Sequence, residues 1–329
     1  MTKRTGIFVR FTGILLILTG STALYSKDWR KLVNEESRPL TDINRLVIDY
    51  GARDLVFVEG SGENLVVRDF MFRDRKDGYS VMERSSGGEL TISRAARRLP
   101  FFFWFTRTPK SEIYIPPGFR GDFDLRVSSG NIKAESRIAA AGTVNIELRS
   151  GDVRMKNLEG GNISISVRSG NLNIDDLRGD CTVELASGDV RMRNLEGGNI
   201  FISVRSGNLN IDNAKGGCTV ELRSGNVTIG SMEGEGSYGV SSGNINLRMK
   251  ELSGNQSLDV RSGNITLTLP RGASYNLDAA SKSGNIKIRD SDLEGFGSSN
   301  SIIVKSFGEN PVYTIKSRVT SGNFEIRMD

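Results

Sequence analysis

The chain has 329 residues, with 44 Lys and Arg against 39 Asp and Glu, so its formal net charge is +5. It contains no histidine, which removes the commonest general base, the commonest transition-metal ligand and every Ser-His or Cys-His nucleophile. Its two cysteines are too few for a disulfide scaffold and suit an exported protein that avoids thiols. The composition therefore disfavours zinc hydrolases and nucleophilic enzymes, and we expect no catalytic residue, cofactor or metal.

Residues 1–26 form a hydrophobic N-terminal segment with a basic start. Lys3, Arg4 and Arg10 precede an apolar run over 11–25. This run is shorter than the roughly 20 residues of a spanning helix and is typical of a cleaved signal peptide. If Arg10 snorkels, residues 7–25 are long enough for a membrane anchor. Both alternatives predict an exported chain at the outer face of the cytoplasmic membrane or in the cell envelope.

The next two regions precede the regular part of the chain. Residues 27–44 are polar and aperiodic, and we interpret them as a tether. Residues 45–121 contain short strand-like runs between Gly, Asp and Ser clusters, which predicts irregular first coils or a cap. An aromatic run flanked by Arg and Lys lies inside this region: Phe101, Phe102, Phe103, Trp104 and Phe105. It is either a plug over the first coils or a loop that contacts a membrane or a partner.

Residues 122–329 are dominated by an internal repeat. The segments 151–188 and 188–225 have identical residues at 31 of 38 aligned positions. Each segment consists of two shorter units that end in Ser-Gly-Asn or Ser-Gly-Asp. The elementary period is thus 18 or 19 residues, with a range of 18–21 along the chain. The marker residues form a predicted corner ladder: Gly130, Asn131, Gly151, Asp152, Gly170, Asn171, Gly188, Asp189, Gly207, Asn208, Gly225, Asn226, Gly243, Asn244, Gly263, Asn264, Gly284, Asn285, Gly322 and Asn323.

The alternation of apolar and polar residues within each unit predicts two short strands around a sharp Gly-Asn corner. A fixed period of this length predicts an all-β parallel solenoid, a β-helix whose coils stack at about 4.8 Å. A right-handed coil is the default for parallel crossovers. We expect Val, Ile and Leu inside, beside stacked Ser and Asn columns. In the C-terminal part we expect one degenerate coil around Ile302–Val304 and a closing coil over 320–328.

The N-terminal segment, the early strands, the strand that ends in Ile115-Pro-Pro117 and the serial markers resemble the bacterial "putative adhesin" family of β-strand-repeat envelope proteins. Membrane-anchored LiaG-type proteins of Gram-positive envelope-stress operons are the nearest type. The resemblance covers about residues 46–329 and implies a scaffold or adhesion surface of the envelope, with no catalytic residue or cofactor to transfer.

The residue before each marker Ser is predicted to face outward, and six of these ten positions are basic. We regard Arg149, Arg168, Arg205, Arg223, Arg261 and Lys282 as a candidate ladder for an anionic wall polymer. Glu147, Glu184, Glu221 and Asp259 lie two positions earlier, so the alternative is an ordinary solvated Glu/Arg wall. An envelope protein is a further possible partner, whereas nucleic acid is not expected. The second hypothesis on function is a carbohydrate-active β-helix enzyme that acts on an acidic polysaccharide.

Two smaller predictions concern the repeats. Only Asp152 and Asp189 carry Asp at the marker, which argues against repeated calcium sites. Cys181 and Cys218 lie 37 residues apart, hence two coils and about 9.6 Å apart. A disulfide tolerates at most about 7 Å between Cα atoms, so we expect both thiols to be free.

Overall fold

The computed structural model describes residues 30–94, 108–290, 293–297 and 301–329. The aromatic run and the N-terminal hydrophobic segment lie outside these ranges. No helix within them is both long enough and apolar enough to cross a membrane. In the described ranges a single 3-10 turn, Lys76–Gly78, interrupts the otherwise all-β structure.

The strands of the described ranges are numbered here in chain order. They are β1 Lys31–Pro39, β2 Arg45–Ala52, β3 Asp54–Glu59, β4 Asn64–Met71, β5 Ser80–Arg84, β6 Glu89–Arg94, β7 Lys110–Ile115, β8 Asp122–Ser129, β9 Ile132–Ala139, β10 Thr143–Ser150, β11 Val153–Ser169, β12 Leu172–Ser187, β13 Val190–Ser206, β14 Leu209–Ser224, β15 Val227–Glu233, β16 Gly236–Ser242, β17 Ile245–Met249, β18 Gln256–Ser262, β19 Ile265–Leu269, β20 Tyr275–Ser283, β21 Ile286–Asp290, β22 Leu293–Gly297, β23 Ser301–Phe307, β24 Thr314–Ser321 and β25 Phe324–Met328.

The predicted parallel β-solenoid is confirmed. Consecutive coils pair in parallel with residues of equivalent repeat position opposite one another, as where Val153 faces Leu172 and Leu172 faces Val190. The division of a coil into two short strands differs from the structure, because β11 to β14 are each one long strand that bends between markers. Pairs of exposed residues such as 156–157, 161–162 and 168–169 mark three corners per coil. Inside, stacked apolar side chains form a continuous core.

The marker serines do not line this core as we expected, and the marker asparagines, whose orientation the sequence left open, do not line it either. Ser150, Ser169 and Ser187 are exposed, and the Asn and Asp of the markers are exposed as well, apart from half-buried Asn208. The reason is that the corner begins one residue before the serine, so two successive side chains point outward. The interior is therefore formed by apolar side chains such as Ile165 and Val167, which are almost completely buried.

The marker glycine is fixed by the stacking of the corners. Every marker glycine has φ between 131° and 142°. A Cβ atom at any of them would lie 1.6–2.0 Å from the carbonyl oxygen of the residue at the same position one coil earlier, as at Gly170 against Gly151. The Gly151 N–H donates to the Ser169 carbonyl at 3.0 Å, so the corner backbone is also hydrogen-bonded along the stack. Only glycine has both the conformation and the space.

The stack does not follow chain order at its ends. β2 lies between β6 and β8, and β24 lies between β18 and β20. The C-terminal coil is thus inserted before the coil that precedes it in sequence. The expected degenerate coil around Ile302–Val304 is wrong, since these residues lie in β23, which pairs antiparallel with β20.

Antiparallel strands cover both ends of the parallel stack. β4 and β5 pair with β7 and β6 at one end, while β22 and β23 pair with β21 and β20 at the other. The tether prediction is wrong for Lys31–Pro39, because this segment forms β1 and pairs antiparallel with β4. An open solenoid end exposes unpaired backbone donors and acceptors, and a reversed strand satisfies them without adding another coil.

A buried ion pair fastens the N-terminal end. Arg53 occupies the position of the marker glycine in the β2–β3 coil and is 1% exposed. Its Nη1 lies 2.6 Å from the Asp69 carboxylate and 2.6 Å from the Ser111 hydroxyl. The second Asp69 oxygen accepts a hydrogen bond from Asn34 of β1 at 3.0 Å. This network joins β1, β4 and β7 to the β2–β3 corner and satisfies the buried charges, as such a site requires.

Both cysteines are free, as predicted, and Ile200 lies between them in the stack. Burial raises the pKa of each thiol to about 12, so neither forms a thiolate at neutral pH. The one intervening rung is the two-coil spacing that the sequence period required.

The glycine contact predicts the effect of one added methyl group. Gly170→Ala should destabilise the fold by about 3 kcal/mol or more, because it combines a strained φ with a backbone collision. Gly51→Ala is the control, since nothing lies within 4 Å of its Cβ position, and it should change stability by less than about 0.5 kcal/mol. Urea unfolding followed by circular dichroism measures both, and equal stabilities would contradict the glycine argument.

Whole coils should be removable. Deleting residues 152–188 removes two coils and joins residue 151 to a segment with nearly the same sequence as the one removed. The interfaces between neighbouring coils are thereby regenerated, so the protein should still fold. Deleting residues 171–179 removes only the first part of a coil and turns later side chains to the wrong face. Cooperative thermal unfolding of the first variant and not of the second is the expected result. Two compact, cooperative variants would refute the assigned register.

Candidate functional site

The markers build a continuous polar ladder along one corner of the solenoid. Each Asn or Asp Oδ1 accepts a hydrogen bond from the backbone N–H of the equivalent residue in the next coil, for example from Asn226 to Asn208 at 3.2 Å. In most Asn rungs the next side-chain amide donates to the same oxygen, at 3.1 Å in this pair. The ladder starts at Asp54 and ends at Asn285, with Asn323 next to last because of the inserted C-terminal coil.

Asp152 and Asp189 fit this ladder as acceptors. The Asp152 carboxylate accepts from the backbone N–H of Asn171 at 2.8 Å and from its side chain at 3.1 Å. Asp189 receives the same two bonds from Asn208. A carboxylate has no N–H, so the rung on its other side keeps only the backbone bond. Within the described ranges, no three His, Cys, Asp or Glu side chains form a group that could hold a metal ion.

The residues before the marker serines form the column predicted from the sequence. Arg149, Arg168, Arg205, Arg223, Arg261 and Lys282 are all exposed. Their flanking residues are in register from coil to coil, as Leu148 with Val167 and Ser150 with Ser169. The uncharged Ala186 and Ser241 interrupt the series, and Thr320 falls between Arg261 and Lys282 in the stack. We name these six residues the basic column.

None of the six side chains of the basic column forms an ion pair or side-chain hydrogen bond with the described part of the chain. Glu184, Glu221 and Asp259 point outward on the same face without an ion pair to the column, and Glu147 contacts only Arg126, at 4.0 Å. Within the described residues these acids therefore form no ion pair with the basic column.

On the other faces of the coil, ion pairs form between residues of neighbouring coils. On the strand after the marker, Lys156 lies 3.0 Å from Glu135 and Arg193 lies 3.5 Å from Asp175 of the neighbouring coil. On the third side Arg178 lies 3.7 Å from Glu196. These columns alternate in sign from coil to coil, so their charges pair across rungs. The basic column is of one sign, and neighbouring members are separated by about 4.8 Å per rung.

The family comparison covers most of the chain. The model described as Toastrack DUF4097 matches residues 43–229 and again residues 179–327. Together these two matches include both solenoid ends and all marker corners. No curated protein matches the chain significantly.

Three solved structures align over most of their length. A "putative cell adhesion protein" from Clostridium sporogenes is 12% identical, with 90% of this chain and 99% of that chain covered and a TM-score of 0.22. "Putative adhesins" from Bacteroides fragilis and Parabacteroides distasonis are 11% and 13% identical, cover 92% and 89% of this chain and 98% and 96% of their own, and give TM-scores of 0.27 and 0.25. Scores at this level support no functional transfer.

The hydrogen-bond pattern of the ladder predicts that replacement of a marker aspartate by asparagine increases stability. Asp189→Asn adds a side-chain N–H that can donate to Asn171 Oδ1, as the other Asn rungs do, so stability should rise by about 0.5–1 kcal/mol. Asn208→Ala is the opposite change, since it loses the bond to Asp189 and the acceptor for Asn226, and should destabilise by about 1–2 kcal/mol. Thermal unfolding measures both. A destabilised Asp189→Asn variant would show that the carboxylate has a role other than accepting these bonds.

Proposed function

Because the chain belongs to the Toastrack DUF4097 family of β-solenoid-like proteins, we propose that it is a non-enzymatic interaction surface of the cell envelope. Its basic column binds a repeating anionic polymer such as a wall teichoic acid or an acidic glycan. The hydrophobic segment over 1–26 supports export and retention at the outer face of the membrane. An envelope-stress role in the manner of LiaG-type proteins belongs to the same proposal.

The observation that carries the proposal is a single-sign column of six exposed charges without ion pairs in the described part of the chain, whereas two columns on the other sides of the coil alternate in sign and pair across rungs. Exposed cations repel one another when they are aligned, and pairing with Glu or Asp of the next coil would relieve that repulsion, as it does for Arg193. Among the described residues, the six cations of the basic column have no such acidic partner. A polymer with regularly spaced negative charges supplies the missing counter-charges and gains affinity from simultaneous contacts.

The non-enzymatic part of the proposal is supported by repetition. A catalytic cluster must be unique, whereas the exposed acids of this face, Glu147, Glu184 and Glu221, recur at every second coil. A binding surface gains from such recurrence, because each coil adds a similar contact.

The test uses two variants with the same change of net charge. Arg149, Arg168, Arg205 and Arg223 are replaced by Gln in one, and the paired residues Arg137, Arg178, Arg193 and Arg248 are replaced by Gln in the control. The first variant should bind purified wall teichoic acid at least about tenfold more weakly at low salt, since four exposed charge contacts are lost together. The control should retain most of the wild-type affinity.

Binding is measured on the purified full-length chain as a function of salt, because screening weakens such contacts steeply. Equal losses in both variants would reduce the effect to net charge and contradict a specific column. No binding of wild type to wall teichoic acid or polygalacturonate at low salt would reject the anionic-polymer partner.

A further inference from the structure

A second surface, separate from the basic column, lies along another corner of the solenoid. This corner comes immediately before the strand that leads to each marker. A groove follows the solenoid axis there, from the rung of Thr143 to the rung of Thr314. It crosses eight rungs, so its length is roughly 34 Å at the strand spacing. The solenoid corner forms one wall, and the first outward side chains of the following strands form the other. We call it the corner groove.

Hydroxyl groups dominate the second wall. Ser164, Thr182, Thr219, Ser237 and Ser257 occupy equivalent positions in successive coils. None of these five side chains makes a hydrogen bond with another group in the described part of the molecule. The row therefore offers one free donor and acceptor per rung to a ligand that lies along the axis.

Phe201 breaks this row at its centre. Its backbone pairs with Thr182 on one side and Thr219 on the other, and its ring is half-buried in the groove. The first tandem copy has Ser164 at the same repeat position, so the fold does not require an aromatic side chain there. One apolar ring amid hydroxyl groups provides a flat platform for the C–H face of a sugar ring.

The charges of the corner groove distinguish it from the basic column. Asp180 and Glu235 line its corner wall, and the only cation among its lining residues is Lys316 at the far end. The side-chain amide and the backbone N–H of Asn199 lower the pKa of the Asp180 carboxyl, so this group is an ionised acceptor at neutral pH. An anionic polymer would be repelled here, whereas the hydroxyl groups of an uncharged ligand can donate to these carboxylates.

We infer that the corner groove binds an extended, uncharged β-1,4-linked glycan that runs along the solenoid axis and stacks one sugar on Phe201. Two rungs span roughly 9.6 Å, which is close to the length of one disaccharide in such a chain. The same hydroxyl would therefore meet the same part of every second sugar. The eight rungs accommodate about three disaccharides, and an extended chain loses little conformational freedom on binding.

The experiment measures binding of chitohexaose and cellohexaose to the full-length chain by calorimetry, in a detergent without a sugar headgroup. Wild type should bind at least one of the two hexasaccharides, with an affinity that hardly changes between low and physiological salt. Phe201→Ser should weaken that affinity about threefold to tenfold through loss of stacking. This substitution restores the side chain of the first tandem copy, so the fold should be preserved.

Three further variants make the test specific. Ser164→Phe creates a second platform two rungs away and should strengthen binding, and the double variant Thr182→Val, Thr219→Val should weaken it without a change in shape. Arg205→Gln with Arg223→Gln, in the basic column, should leave hexasaccharide binding unchanged. Absence of wild-type binding to both sugars at millimolar concentration, unchanged affinity in Phe201→Ser, or loss in the Arg variant would each overturn the inference.

Discussion

The close contact between marker glycines of successive coils is the constraint on which the solenoid depends. The backbone turns so tightly at φ near +135° that the carbonyl oxygen of Gly151 occupies the space where Gly170 would carry a side chain. This approach brings the neighbouring Asn side chains within hydrogen-bonding distance along the stack and sets the register of both adjoining strands. Every outward column, including the basic column and the hydroxyl row of the corner groove, inherits its spacing from that corner.

The architecture could be predicted from the sequence because the length of one coil is equal to the spacing of the repeated residues. Because identical residues recur at a fixed offset, the sequence indicates which residues of neighbouring coils pair with each other. The relative positions of the two cysteines follow from this pairing. The exposure of the marker serines could not be predicted, because a corner interrupts the alternation on which the assignment of faces rests. The outward position of Arg149 and its equivalents followed from the regular strand before the corner, where alternation holds.

The ends of the stack escaped prediction for a different reason. The sequence period describes how a coil meets an identical coil, and it contains no information on how the last coil is covered. β23 has the composition of a coil strand, with Ile302 and Val304 alternating, yet it runs antiparallel and leaves these two side chains exposed. Arg53 is similar, since nothing in its neighbourhood shows that it replaces a marker glycine and pairs with the distant Asp69. Both features depend on long-range contacts that local patterns do not encode.

The two tandem copies show where this surface is free to differ. Of their seven differences only Leu177 against Ala214 lies in the core, and the rest are on the outside. Three of them, Ser164 against Phe201, Asp180 against Gly217 and Ala186 against Arg223, lie on the corner groove or in the series that contains the basic column. Because stacking fixes the backbone, such exchanges alter the chemistry of one rung without moving the next. The solenoid can therefore carry a hydroxyl-lined groove and a cationic column side by side on one face, each adjusted independently.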